Sequence, residues 1–208
     1  MGLRRLATVG AAVLLSGTLA AATVAPAQAD TSGTRSLAAV LAKDGSGFDH
    51  NWHDYDIVDN AVAAVLAAKP NSAVGVLADG TTPLTAFLPN DRAFQLLVKD
   101  LTGKKPKTEK KAFAAVASLG IDTVETVLLY HVDPDTRINY KQALKSDGAE
   151  LTMASGGIVR VDVRKGHKIK LLDADRNDDN PRIVQKNINK GNRQIAHGIN
   201  RVLRPLDL

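Results

Sequence analysis

Between residues 57 and 129 the apolar positions recur at helical spacing, and after Gly148 they alternate. Ile57, Val58, Val62, Val65 and Leu66 share one face, which predicts a helix capped by Asp54 or Asp56 and running to about Ala68. Lys69-Pro70-Asn71 ends it, because proline lacks the amide donor and crowds the preceding turn. Residues 84–88 ("LTAFL") read as a short buried strand that stops at Pro89, which cannot donate to a sheet ladder. Asn90 suits a helix N-cap, and Asp91 in the first turn complements the helix dipole. Ala93, Phe94, Leu97 and Val98 then give an apolar helical face. The stretch "TAFLPNDRAF" is therefore a strand-to-helix corner, with Phe87 and Phe94 as core anchors on either side. Further helices are expected over residues 113–119 and from an Asp122 or Thr123 cap through Val124, Val127 and Leu128.

In the second part Val159, Val161 and Val163 alternate with Arg160, Asp162 and Arg164, the pattern of a half-buried strand. Ile169 and Leu171 continue in a second strand after Lys165-Gly166. The polar loop "DADRNDDNP" separates it from a strand over residues 182–188, and a last strand over 195–203 ends before Pro205. Helices come mainly in the N-terminal half and strands mainly in the C-terminal half, which argues for an α+β fold rather than parallel βαβ units.

The N-terminus changes this picture. Arg4 and Arg5, an apolar stretch over residues 6–24 and Ala27-Gln28-Ala29 have the layout of a secretory signal peptide cut after residue 29. Residues 30–53 show little periodicity and are expected to be a flexible leader, with the folded domain over 54–208. No second stretch approaches the roughly 18 apolar residues of a spanning helix, so no transmembrane anchor is expected after cleavage. Cleavage removes two of the 27 basic residues and none of the 22 acidic ones, so the net charge falls from +5 to +3. So mild a charge, in an exported protein, argues against a nucleic-acid partner. The absence of cysteine excludes disulfides, thiol catalysis and thiolate metal sites.

Three segments carry a family resemblance. "TAFLPNDRAF" resembles the first signature of fasciclin (FAS1) domains through Thr85, Phe87, Pro89, Asp91, Ala93 and Phe94. "VLLYHVDPD" resembles the family's Leu-Leu-Tyr-His segment, and "IAHGINRVLRP" its terminal strand through His197, Ile199, Val202, Leu203 and Pro205. Asn200 stands where the family usually has Asp, and the loops over 99–111 and 173–181 look long for a member. The resemblance implies an α+β domain with a twisted β-wedge and several helices. It also implies a secreted or wall-associated bacterial protein that mediates adhesion or binds a cell-surface or matrix component, with no general enzymatic role; no cofactor or metal is expected.

The candidate contact residues follow. Tyr130 and His131 form the tyrosine–histidine motif that the resemblance links to receptor contact. The apolar flanks Leu128, Leu129 and Val132 favour a plainer role, a core aromatic and a hydrogen-bonded imidazole at a helix-to-turn junction. Lys99, Lys104, Lys105, Lys107, Lys110 and Lys111 in "KDLTGKKPKTEKK" form a basic loop suited to a polyanion or polysaccharide, or simply to solvent. Asp173, Asp175 and Asn177 have the first ligand spacings of a calcium loop, but Asp178 stands where that loop needs Gly and Val184 where it needs Glu. "DHNWHDYD" offers His50, His53, Asp54 and Asp56 to a zinc ion, with no third ligand fixed by the spacing. Hydrolase elbows, zinc-protease helices and phosphate loops are not in the sequence, so no catalytic residue is assigned. His197, between Ile195 and Ile199 on one strand face, is expected to be a packed, hydrogen-bonded histidine.

Overall fold

The computed structural model describes residues 32–206, except 44 and 46. The expected signal peptide lies outside those residues. The elements in chain order are α1 Leu37–Leu41, α2 Asp56–Ala68, a 3-10 helix Ala73–Ala78, β1 Leu84–Pro89, α3 Asp91–Thr102, α4 Glu109–Ala117, α5 Ile121–Leu129 and β2 Val132–Asp133. They continue with α6 Tyr140–Ala143, β3 Glu150–Thr152, β4 Ile158–Arg164, β5 Lys168–Leu172, β6 Ile183–Ile188 and β7 Gln194–Ile199. Helices dominate the first half and strands the second, as the change of period predicts.

One sheet has the order β2-β1-β7-β6 and the other β3-β4-β5. β1 lies parallel to β7, with Phe87 opposite His197, and antiparallel to β2. The period of two along β1 divides the interior. Leu84, Ala86 and Leu88 face the core built on α2, α3, α4 and α5, while Phe87 enters a second core against β4 and β5. Phe94 anchors the helical core from α3, so the two phenylalanines serve different cores.

The strand-to-helix corner forms as its sequence dictates. The Asn90 side chain accepts the Ala93 amide at 3.0 Å and satisfies one unpaired donor of the first turn of α3. Gly103 ends that helix at φ +70°, a left-handed conformation that favours glycine.

Several boundaries differ from the sequence reading. Neither Asp54 nor Asp56 caps α2; the cap position is Tyr55, and Asp56 is the first helical residue. Gly120 rather than Asp122 or Thr123 precedes α5. The expected loop over 99–111 is mostly helix at its two ends, because α3 continues to Thr102 and Thr108 caps α4 from Glu109 onward. β7 stops at Ile199, and the chain runs on to Pro205 without strand pairing. Within residues 30–53, α1 is capped by Ser36 and buries Leu37 and Leu41, so this stretch contributes to the helical core. Among the described residues, no single helix is long and apolar enough to cross a membrane.

Candidate functional site

Tyr130 and His131 follow the last turn of α5, where the chain turns into β2, and both are buried, with 1% and 4% of their surface exposed. The Tyr130 hydroxyl donates to the Ile158 carbonyl at 2.8 Å, and burial beside Asp173 pushes the phenol up to about 12. His131 Nδ1 lies 2.7 Å from the Val127 carbonyl, and the Leu203 amide donates to Nε2 at 2.9 Å. A carbonyl can only accept and an amide can only donate, so the ring is neutral with its proton on Nδ1. Burial lowers its pKa to about 4. The imidazole thus satisfies a carbonyl of the last helical turn and ties it to the chain after β7. The motif that the resemblance links to receptor contact is internal scaffold here, because a partner would have to open the domain to touch it.

His197 is held the same way. Its Nε2 lies 3.0 Å from the Ile138 carbonyl, the Asn187 amide points at Nδ1 from 3.3 Å, and burial lowers its pKa.

The lysines sit at the surface. Lys104, Lys105 and Lys107 occupy the connection between α3 and α4, and Lys110 and Lys111 the first turn of α4; all five are exposed. Lys99 is exposed in the last turn of α3.

The loop after β5 is organised by arginine. Arg204 Nη1 meets Asp175 at 3.0 Å, and its Nη2 meets Asp100 at 2.9 Å and Asp178 at 3.0 Å. Arg201 reaches Asp100, Asp178 and Asp179 at 3.2–3.4 Å. The Arg204 amide donates to Asp173, and the Asn177 and Asp178 amides donate to Asp175. The carboxylates that gave this loop its calcium-like spacing are engaged by arginines and backbone.

A second acidic group gathers where three helices begin. Asp56, Asp91 and Glu109 are the first residues of α2, α3 and α4, and the three helix starts converge. One carboxylate oxygen from each of Asp54, Asp56 and Asp91 lies within 4.8 Å of the other two, and the same holds for Asp49, Asp56 and Glu109. Asp56 belongs to both sets. Backbone ties draw the parts together: the Asp91 amide donates to the Asp54 carbonyl at 3.1 Å and the Arg92 amide to the Trp52 carbonyl at 2.8 Å. The Ile57 amide donates to Asp91 Oδ1 at 3.0 Å, and His50, at φ +76°, donates its amide to Glu109 Oε2 at 2.9 Å. Burial, then Asp54, Asp49 and Glu109, pushes Asp56 up to about 6. Burial, reinforced by Asp54 and Asp56, holds Asp91 well above the carboxylate range.

Sequence reading placed a metal candidate in "DHNWHDYD" on His50, His53, Asp54 and Asp56. The structure keeps Asp54 and Asp56 from that set and adds Asp49, Asp91 and Glu109. His50 takes part through its backbone amide. Asp49 opens the quoted segment itself, and the one local signal for Asp91 and Glu109 is an acid at the first helical position, which by itself reads as complementing the helix dipole.

A model of the fasciclin domain matches residues 59–205. Among solved structures, a FAS1 domain pair from the insect cell adhesion molecule fasciclin I is similar at 15% identity and a TM-score of 0.44, over 72% of this chain and 43% of that one. The chain therefore spans less than half the length of that solved relative. No curated protein matches it.

Proposed function

The chain belongs to the fasciclin domain family, and from that premise we propose that it is a non-catalytic binding domain of a secreted protein that adheres to a cell-surface or matrix component. Fasciclin domains occur in extracellular and cell-surface proteins and are associated with adhesion. One observation carries the non-catalytic part. In both buried histidines, His131 and His197, each ring nitrogen faces a backbone group and burial holds the ring neutral. A general base needs a nitrogen that reaches substrate, and neither ring has one to offer. Beads coated with residues 30–208 are expected to be retained on cell-surface or matrix preparations above the level of bare beads; equal retention refutes the reading.

The lysines favour a more specific form of it, polyanion or polysaccharide binding. Lys104, Lys105, Lys107, Lys110 and Lys111 are exposed on the connection between α3 and α4 and the first turn of α4, and none of them forms an ion pair among the described residues. Contacts made by such a group are screened over roughly 8 Å at physiological salt. Retention on an immobilised anionic polysaccharide is expected to fall steeply with added salt, and to fall in a variant with the five lysines changed to Gln. Retention indifferent to both would refute lysine-mediated binding.

A further inference from the structure

We propose that the carboxylates converging where α2, α3 and α4 begin form a binding site for a hard divalent cation, Ca²⁺ first among them, with Asp56 as the central ligand between Asp54 and Asp91 on one side and Asp49 and Glu109 on the other.

Helix capping and dipoles explain only part of this cluster. Asp91 uses Oδ1 on the Ile57 amide and Glu109 uses Oε2 on the His50 amide. Glu109 Oε1 and Asp56 Oδ2 are fully buried and meet no donor, and the second oxygen of Asp91, also fully buried, finds only another carboxyl, that of Asp54. Asp91 is 0% exposed, Glu109 1% and Asp56 5%. An ionised oxygen in such a place costs several kcal/mol unless something positive answers it. Each helix start supplies only about half a positive charge, and the charges acting on Asp56 come from other carboxylates.

The dimensions suit a cation. Oxygens bound to Ca²⁺ at about 2.3–2.6 Å lie up to about 5 Å apart across the ion, and each set spans no more than 4.8 Å. The donors are all carboxylate oxygens, which select Ca²⁺, Mg²⁺ or Mn²⁺ over the zinc and copper that histidine and thiolate sites prefer. Asp49, in the set with Asp56 and Glu109, is exposed, so that set is open to solvent on the Asp49 side, and Asp56 also lines a cleft of about 350 Å³ with Val40, Lys43, Tyr55 and Ile188. The family match begins at residue 59, so Asp49, Asp54 and Asp56 lie before it, while Asp91 and Glu109 lie within it.

A bound ion would clamp residues 49–56 to the starts of α3 and α4. Because the acids must release protons to bind it, affinity should rise with pH.

The test uses the full chain, stripped with EDTA and dialysed. Added Ca²⁺ is expected to raise the thermal unfolding midpoint. Tb³⁺ should luminesce when excited through Trp52, which precedes Asp54 by two residues, and Ca²⁺ should quench that signal by competition. Asp56→Asn is expected to weaken Ca²⁺ at least about tenfold, while its metal-free midpoint does not fall, because it removes one of the clustered charges. Glu109→Gln serves as the second variant should the first not fold. A wild-type midpoint indifferent to Ca²⁺, Mg²⁺ and Mn²⁺ would overturn the proposal. So would a Ca²⁺ shift that survives both substitutions, or a response to Zn²⁺ alone that His53→Gln abolishes.

Discussion

Replacing His131 by Leu separates the scaffold reading of the tyrosine–histidine motif from any other. The substitution roughly keeps side-chain volume but strands two buried backbone groups, the Val127 carbonyl and the Leu203 amide. Each stranded group costs about 1–3 kcal/mol, so the variant should lose about 2–6 kcal/mol at pH 7. The same ring makes stability depend on pH with a known sign. In the unfolded chain the imidazole takes a proton near pH 6.5, but in the folded chain only near about 4. Its contribution is therefore complete above pH 6.5 and is lost as the pH falls towards 4. The interval is worth about 3 kcal/mol at roughly 1.4 kcal/mol per pH unit. The wild-type profile alone hides this, because Asp56 and Asp173 are both pushed up to about 6 and stabilise the fold on acidification below that pH. The difference between wild type and variant cancels those acids. Urea unfolding of both proteins at pH 7 and pH 4.5 should give a gap that narrows at the lower pH. A gap of the same size at both values would refute the neutral, doubly bonded ring.

The remaining predictions concern packing and charge. Phe94→Ala removes a ring that is 4% exposed in the helical core and should lower the unfolding free energy by about 3–5 kcal/mol; an unchanged urea midpoint would exclude Phe94 from that core. Gly157→Ala would place a methyl 2.6 Å from Tyr130 Cε2, so the ring must move off the Ile158 carbonyl. The expected loss is about 1–3 kcal/mol with an altered near-UV circular dichroism spectrum, and wild-type stability and spectrum together would contradict the packing. Arg204→Met leaves Asp175 buried without its guanidinium and should cost about 3–5 kcal/mol, most of it recovered when Asp175→Leu is added; no recovery would mean that Arg204 acts through another partner.

What the sequence made legible was local. Asn90 caps α3 because its side chain needs only an amide three residues away, and the valines of β4 alternate because a strand has two faces. The buried Tyr130-His131 pair was foreshadowed by the apolar residues on both sides of it. Boundaries failed where the local signal was weak. The helix α1 has five residues, too few for a period to emerge, and it is fixed by burial of Leu37 and Leu41. The helix α4 opens on Glu109, Lys110 and Lys111, which look like loop composition until Thr108 is seen as a cap. The carboxylate cluster was out of reach for a different reason. His50 meets Glu109 across 59 positions of sequence and Ile57 meets Asp91 across 34, so their meeting is decided by how helix starts pack. No short pattern records that.

The two acidic groups of this fold bring out the difference between spacing and environment. The loop after β5 has the calcium-like spacing, yet Arg201 and Arg204 reach into it from the chain beyond β7, and Asp175 points its remaining capacity at backbone amides. A cation entering there would have to displace a guanidinium held at 3.0 Å and would leave that guanidinium buried, with 6% of Arg204 exposed. The exchange trades one buried positive charge for another and strands the first, so it is unfavourable. The group where α2, α3 and α4 begin has no ligand spacing at all in sequence. Asp56, Asp91 and Glu109 come to one place as helix first residues and are joined there by Asp49 and Asp54; Asp91 and Glu109 each use one oxygen on an amide and turn the other towards neighbouring carboxyls. A cation entering there displaces only protons and relieves repulsion between carboxylates. The buried carboxyl oxygens that no arginine answers, rather than the motif, therefore decide which of the two groups is poised to take an ion.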